Sequence, residues 1–344
     1  MERDFSTNEK EEGEKSSGSD NRRMYIIVAV AYFVALVLIV FEVIGGGLKN
    51  IIYYVSGRYV LLLAAALVIF AEESLKSLRF VVAARLRGYR LSPFRALEAH
   101  FSSLFVGMLT PAFSGAVPTA AAVIGDSTRA PPSDALSIAM AATFADSMLP
   151  ALASIYFALP EVPRSAIVVV IAVLVIVTWA VVLSSSLLER IMGGLAKFMG
   201  SRAASLVREE TESFRRSLEG IVTSRRTVTL IVLISVTSYV IEALSLLVIT
   251  RGGLAGFVRD FGALMMSYVG GNLPTPGGEV GVEYSLSLLL SGREAVLWRV
   301  AYIIVAMVPA VLINKIISSY VDYGSAVYSH YKSLLGAGRR QGQT

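Results

Sequence analysis

The chain has no cysteine and only two histidines, His100 and His330, far apart in sequence. The first absence excludes disulfides, thiolate metal sites and a cysteine nucleophile. The second argues against a multi-histidine metal centre, and no metal or cofactor is expected. Charge is sparse as well: Asp, Glu, Lys and Arg make up 17% of 344 residues, with a formal balance of +5. The basic residues are not interleaved with exposed aromatics in a soluble domain, so nucleic acid is not an expected partner. What fills the chain is apolar. Hydrophobic residues account for 55% and mean hydropathy is +0.65. Apolar runs of about twenty residues recur, so the expected class is an all-α polytopic membrane protein.

Residues 1–23 carry almost nothing apolar and read as a disordered tail. Arg22-Arg23 precede a spanning run, Met24 to Ile44, and place the N-terminus in the cytoplasm. No signal-peptide pattern is evident. A second span, about Tyr59 to Val82, contains Glu72, Glu73, Lys76 and Arg79 at helical spacings, read as ion pairing near the membrane edge. Ser92-Pro93 starts a helix that Pro111, Gly115 and Pro118 then break. Ser133-Asp134 opens a helix to about Leu159, and Ser165 to Ser184 is a clean span. Residues 187–226 are amphipathic: Leu187, Ile191, Leu195 and Phe198, then Phe214, Leu218 and Ile221, keep a helical period among basic residues. This segment is expected to lie on an anionic lipid surface, with a coiled-coil contact as the alternative. Thr227 to Ile249 spans, a short loop holds Arg251, Arg259 and Asp260, and Ala295 to Ser319 makes the last span. Residues 24–320 thus form the expected membrane transport domain, and 321–344 a cytoplasmic tail.

The most irregular apolar stretch is Tyr268 to Glu283, rich in glycine and interrupted by Pro274 and Pro276. Proline removes a backbone donor and glycine tolerates positive φ, so no continuous helix is expected there. It has an echo. Phe105-Val106-Gly107…Pro111…Gly115 and Tyr268-Val269-Gly270…Pro274…Gly278 share one pattern. The apolar piece after the second break, Val280 to Leu290, would extend roughly 16 Å as a helix, short of a hydrocarbon core of about 30 Å. Treating both breaks as re-entrant keeps the basic segment 187–226 and both termini on the cytoplasmic side. The expectation is therefore about six full spans plus two oppositely inserted re-entrant helical hairpins in an inverted repeat, with a site between their tips.

Asn272-Leu273-Pro274-Thr275-Pro276-Gly277-Gly278 followed by Gly281-Val282-Glu283 resembles the signature of the lysylphosphatidylglycerol synthetase transmembrane-region family. These are flippase-like proteins related to the membrane half of the multiple-peptide-resistance-factor proteins. Thr110-Pro111…Gly115…Pro118, Asp146 and Arg299 resemble further family positions, and the likeness covers roughly residues 24–320. Two departures stand out: Ser114-Gly115-Ala116-Val117 carries no charge, and Glu279 stands where an apolar residue is usual. With no soluble synthase domain attached, the resemblance implies lipid translocation in the cell membrane rather than an enzyme.

The expected substrate-binding residues are Glu283, Glu279, Arg299, Asn272, Asp146 and Thr110, with Pro111, Gly115, Pro118, Pro274, Pro276, Gly277 and Gly278 making the breaks. Glu279 and Glu283 are four apart and share a helical face; an intramembrane carboxylate usually faces a cavity or a partner. Such a pair suits a proton-coupled site or a cationic headgroup, unless Glu279 only caps its helix. Arg299 is placed to pair with Glu283 or to hold a lipid phosphate. Asp146 lies mid-helix among apolar neighbours and needs a partner or a cavity, as does Glu242. Asn272 and Thr110 either contact a headgroup or cap turns. The expected function is flipping or scrambling of a phospholipid or polyprenyl-phosphate-type lipid; the alternative is a secondary transporter of a small soluble anion. The partners are then a membrane lipid substrate and an anionic lipid surface, and a homodimer is compatible with this reading.

Overall fold

A computed structural model describes residues 55–184, 190–191, 193–194, 201–275 and 277–312. The tails, the expected span Met24 to Ile44 and Pro276 lie outside the described residues. The architecture is helical, with no strand among the described residues.

Helix α1 (Tyr59–Leu86) is followed by α2 (Pro93–Leu109). The start of α2 is the expected one: the Ser92 hydroxyl accepts the Arg95 N–H at 3.3 Å and proline fills the first position. Its end is set by Thr110 and Pro111, after which α3 (Ala116–Thr128) begins. Pro118 does not break anything. It sits in the first turn of α3, where its missing N–H would have had no intrahelical partner.

Helix α4 (Pro132–Ala158) continues through a 3-10 turn to Glu161, and α5 (Ala166–Leu183) follows. Then come α6 (Ser201–Val222), α7 (Arg225–Thr250) and α8 (Gly253–Gly270). Arg259 and Asp260, expected in a loop, lie inside α8; the buried Asp260 accepts the Thr250 hydroxyl at 2.7 Å, which folds α8 back on the end of α7. Finally α9 (Glu279–Ser287) leads to α10 (Gly292–Leu312).

Among the described residues, three helices are long and apolar enough to cross a membrane by length and composition: Pro132–Glu161, Ala166–Leu183 and Arg225–Thr250. Helix α1 has 28 residues, about 42 Å at 1.5 Å per residue, and only its charged cluster sets it apart from them.

Contacts at the helix ends fix the topology. The Tyr89 hydroxyl and the Arg87 guanidinium, just past α1, donate to Asp134 at the start of α4 at 2.6 and 3.0 Å. Burial and the Asp134 carboxylate push the Tyr89 phenol up to about 12, so it stays a donor. The chain therefore leaves α3 at the end of the bundle where it left α1. Helix α6 lies at this end too, with Ser213 and Ser217 hydroxyls 3.1 and 2.5 Å from those of Ser133 and Ser137. Its Leu218 and Ile221 are buried against protein, so this half of the amphipathic face is not available to a lipid surface. At the opposite end, Arg259 of α8 approaches Glu294 of α10 at 3.7 Å. The unit α8–break–α9 likewise returns the chain to the end it came from.

Candidate functional site

The two sequence breaks meet. The Gly277 N–H donates to the Thr110 carbonyl at 3.1 Å, and the Ala112 N–H donates to the Thr275 carbonyl at 3.2 Å. This reciprocal pair is the pattern of a single antiparallel β-bridge, and Pro111 sits where the bridge needs no N–H. Glycine is required here by space as well as by torsion. Gly277 has φ 57°, and a Cβ there would lie 2.6 Å from the Met108 carbonyl oxygen; at Gly278, φ 66°, it would lie 1.9 Å from that of Gly271. Close backbone approach of Gly270 and Gly281 then lets α9 lie directly against α8.

Thr110 and Asn272 serve the breaks locally. The Thr110 hydroxyl accepts the Gly115 N–H at 2.8 Å, and the Asn272 amide donates to the Tyr268 and Val269 carbonyls at 3.1 and 3.2 Å. Both side chains cap, which was one of the two expected roles. Asn272 also borders the cavity described below, whereas Thr110 does not.

Behind the bridge lies a chain of buried charges. Four residues of α1 stand on one helical face and reach four other helices. Lys76, 2% exposed, lies 2.6 Å from Glu72, 3.5 Å from Glu73 and 3.6 Å from Glu242 of α7. It also donates to the hydroxyl of Tyr268 on α8, which in turn donates to Glu242 at 2.6 Å. The Lys76 ammonium sits 4.8 Å from the Tyr268 ring centroid and 5.4 Å from that of Tyr239, within cation–π range. His100 of α2 holds the far oxygen of Glu73 at 2.6 Å. One turn on, Arg79 pairs with Asp146 of α4 and reaches the Ser235 hydroxyl at 2.9 Å. Tyr239 donates to the same Asp146 oxygen at 2.9 Å. Buried charges of this kind persist only when paired and hydrogen-bonded.

A second group involves α9 and α10. Arg299 donates through Nε to Glu283 at 3.1 Å and through Nη2 to Glu279. Glu279 occupies the first turn of α9, yet its side chain is spent on Arg299 across the gap rather than on capping.

Between these groups is a cavity of about 310 Å³. Lys76, Glu73, Glu242 and Asp146 line one side, Arg299 and Tyr302 another, and Asn272, Ala112 and Phe113 the break. A cavity of this size, mostly apolar in its lining yet bordered by several charged side chains, is a candidate binding site. Residues 26–312 match the family described as Lysylphosphatidylglycerol synthase TM region.

The chain belongs to that family. Neither a curated protein nor a solved structure matches it. Membership gives this chain a membrane location and a membrane lipid-related role.

In this Lysylphosphatidylglycerol synthase TM region protein, Arg299, Asp146 and Asn272 reach the cavity, while Glu279 and Glu283 stand behind Arg299. Pro111, Gly115, Pro274, Gly277 and Gly278 lie in or at the edges of the breaks. The ion pairing expected among Glu72, Glu73 and Lys76 is present, and the cluster is a buried hub that also draws in partners from α2, α7 and α8. His100 belongs to the same hub. Tyr239 and Tyr302 carry no sequence signal of this role, and Tyr268 stands out only as the aromatic that opens the second break. A signal existed near Asp146: Pro150, four residues on, has no N–H to give the Asp146 carbonyl, so the helix is loosened beside the acid.

Proposed function

We propose that this protein moves a lipid across the bilayer, flipping or scrambling it, by passing the polar headgroup through the cavity between the two bridged breaks while the acyl chains remain in lipid. The observation that carries this reading is the bridge itself: two broken segments, repeats of one pattern, held tip to tip beside a charged cavity in an otherwise apolar bundle. The units α2–α3 and α8–α9 are then re-entrant hairpins inserted from opposite faces. In support, α3 and α9 have 13 and 9 residues, about 20 and 14 Å, too short for a core of about 30 Å. Each unit also returns to its own end of the bundle, through Asp134 in one case and Glu294 in the other. The small-anion alternative is less well supported, because Lys76, Arg299 and His100 each already face a carboxylate. On this reading the protein performs no covalent chemistry.

The test is reconstitution into vesicles carrying a fluorescent phospholipid, with an impermeant quencher reporting its arrival in the outer leaflet. Lipid exchange well above that of protein-free vesicles is expected, and Ser147→Trp, which fills the cavity from α4, abolishes it. Equal exchange with and without protein, or full activity of the filled variant, refutes the proposal.

A further inference from the structure

The carboxylates around Lys76 outnumber the cations that face them, and the surplus is lodged away from water. Glu72, Glu73 and Glu242 are each no more than 1% exposed. Lys76 supplies one positive charge to all three. His100 of α2 supplies a second, when protonated, to Glu73 alone. The remaining nearby charges are engaged elsewhere: Arg79 with Asp146 of α4, and Arg299 of α10 with Glu279 and Glu283. The facing phenols carry no positive charge; Tyr239 donates to Asp146, Tyr268 donates to Glu242, and the Tyr302 ring lies 5.4 Å from Arg299. With His100 assigned to Glu73, Glu72 and Glu242 have one cation between them.

Hydrogen bonding singles out the same pair. Glu73 is contacted on both oxygens, by Lys76 at 3.5 Å and by His100 at 2.6 Å. Neither oxygen of Glu72 has a partner with hydrogen-bond geometry, despite the Lys76 contact, and Glu242 Oε1 has none. An uncompensated carboxylate in such a place is costly, and the cheapest compensation is a cation bound to it. A metal ion does not fit, because the Lys76 ammonium already occupies the position among the three carboxylates where several oxygens would have to converge on it.

We infer that Glu72 and Glu242 together hold one bound proton at neutral pH, and that this proton exchanges through the cavity which Glu242 lines. The step is a simple dissociation: one carboxylic acid of the pair becomes a carboxylate, and the proton leaves to the cavity. The cavity wall then gains one negative charge, so headgroup occupancy and proton occupancy are linked. That linkage rests on the translocation reading; the proton site does not.

Infrared spectroscopy of the purified protein at neutral pH tests the site directly. A protonated-carboxyl C=O band that shifts in heavy water is expected, with its intensity reduced in both Glu72→Gln and Glu242→Gln, since either change leaves one carboxylate for Lys76. Lys76→Gln removes the cation instead and should raise the band, which keeps the test open if a glutamate variant fails to fold. No band in the wild type, or no loss in either glutamate variant, overturns the proton site; loss in one alone overturns the sharing. In vesicles of phosphatidylethanolamine and phosphatidylglycerol, a pH gradient should change wild-type lipid exchange several-fold and leave Glu242→Gln exchange unaffected. Wild-type exchange indifferent to the gradient overturns the linkage. No lipid exchange under any condition, with the band present, overturns the translocation reading and leaves the proton site standing.

Discussion

Separating Arg79 from Asp146 should reveal how the buried charges contribute to stability. Removing one member of a buried ion pair typically costs about 3–5 kcal/mol, because the other is left uncompensated. The two members of this pair are not equally placed. The Arg79 side chain is 1% exposed, whereas that of Asp146 keeps 22% and faces the cavity. Arg79→Met leaves Asp146 with the Tyr239 hydroxyl and cavity water, so a loss near the lower limit, about 3 kcal/mol, is expected. Asp146→Asn strands a guanidinium whose other partners are the Ser235 hydroxyl and the Lys76 carbonyl, and should cost about 5 kcal/mol. The double variant, with both charges gone, should lie within about 1 kcal/mol of wild type. The assay is equilibrium unfolding in mixed detergent micelles followed by circular dichroism. A double variant as unstable as the two single losses combined would refute the buried-pair reasoning, and so would a larger loss for Arg79→Met than for Asp146→Asn.

The break makes a second prediction: Gly88→Ala, at φ 81° in open space, should lose only the left-handed backbone term of about 1–2 kcal/mol. Gly278→Ala carries the same penalty plus overpacking of about 1–3 kcal/mol against Gly271, and equal losses for the two in the same unfolding assay would contradict the geometry. The chain has no cysteine, so single introduced cysteines report topology cleanly. Arg90→Cys and Arg129→Cys should react with an impermeant thiol reagent from one side of the membrane, and Leu254→Cys and Gly292→Cys from the other; reaction of the first two from opposite sides would rule out a re-entrant α2–α3. Glu283→Gln leaves Glu279 to pair with Arg299 and should fold normally while slowing lipid exchange about tenfold or more, which corresponds to 1.4 kcal/mol or more. Unchanged exchange in vesicles would remove Glu283 from the mechanism.

Local rules made part of this visible in advance. The two breaks were legible because proline and glycine act on their own backbone, and the repeat was legible because both copies keep the same spacing. The pairing of Arg299 with Glu283 followed from the cost of leaving either charge alone in an apolar setting. The hub around Lys76 was not legible, because its partners arrive from far away: Tyr268 lies 192 residues on. Helical spacing within α1 correctly joined Glu72 to Lys76, but it is silent on whether that face meets lipid, water or protein. Pro118 misled for a related reason, since a proline in a first turn and a proline in a break are the same letter. Arg259 and Asp260 read as loop residues because charge suggests exposure; inside α8 the buried Asp260 is satisfied on both oxygens, by the Thr250 hydroxyl and by the adjacent Arg259 guanidinium.

The bridge between the breaks has a consequence for biogenesis. Its first half, the Thr110 carbonyl and the Ala112 N–H, is synthesised well before Thr275 and Gly277, which satisfy it. At about 5–20 residues per second, the wait is on the order of ten seconds or more. Throughout that interval a kinked, polar backbone must be kept from lipid by something other than its final partner, so release from the insertion machinery should be late. A chain truncated before Thr275 is then a natural substrate for membrane quality control, even though α1 to α8 are complete.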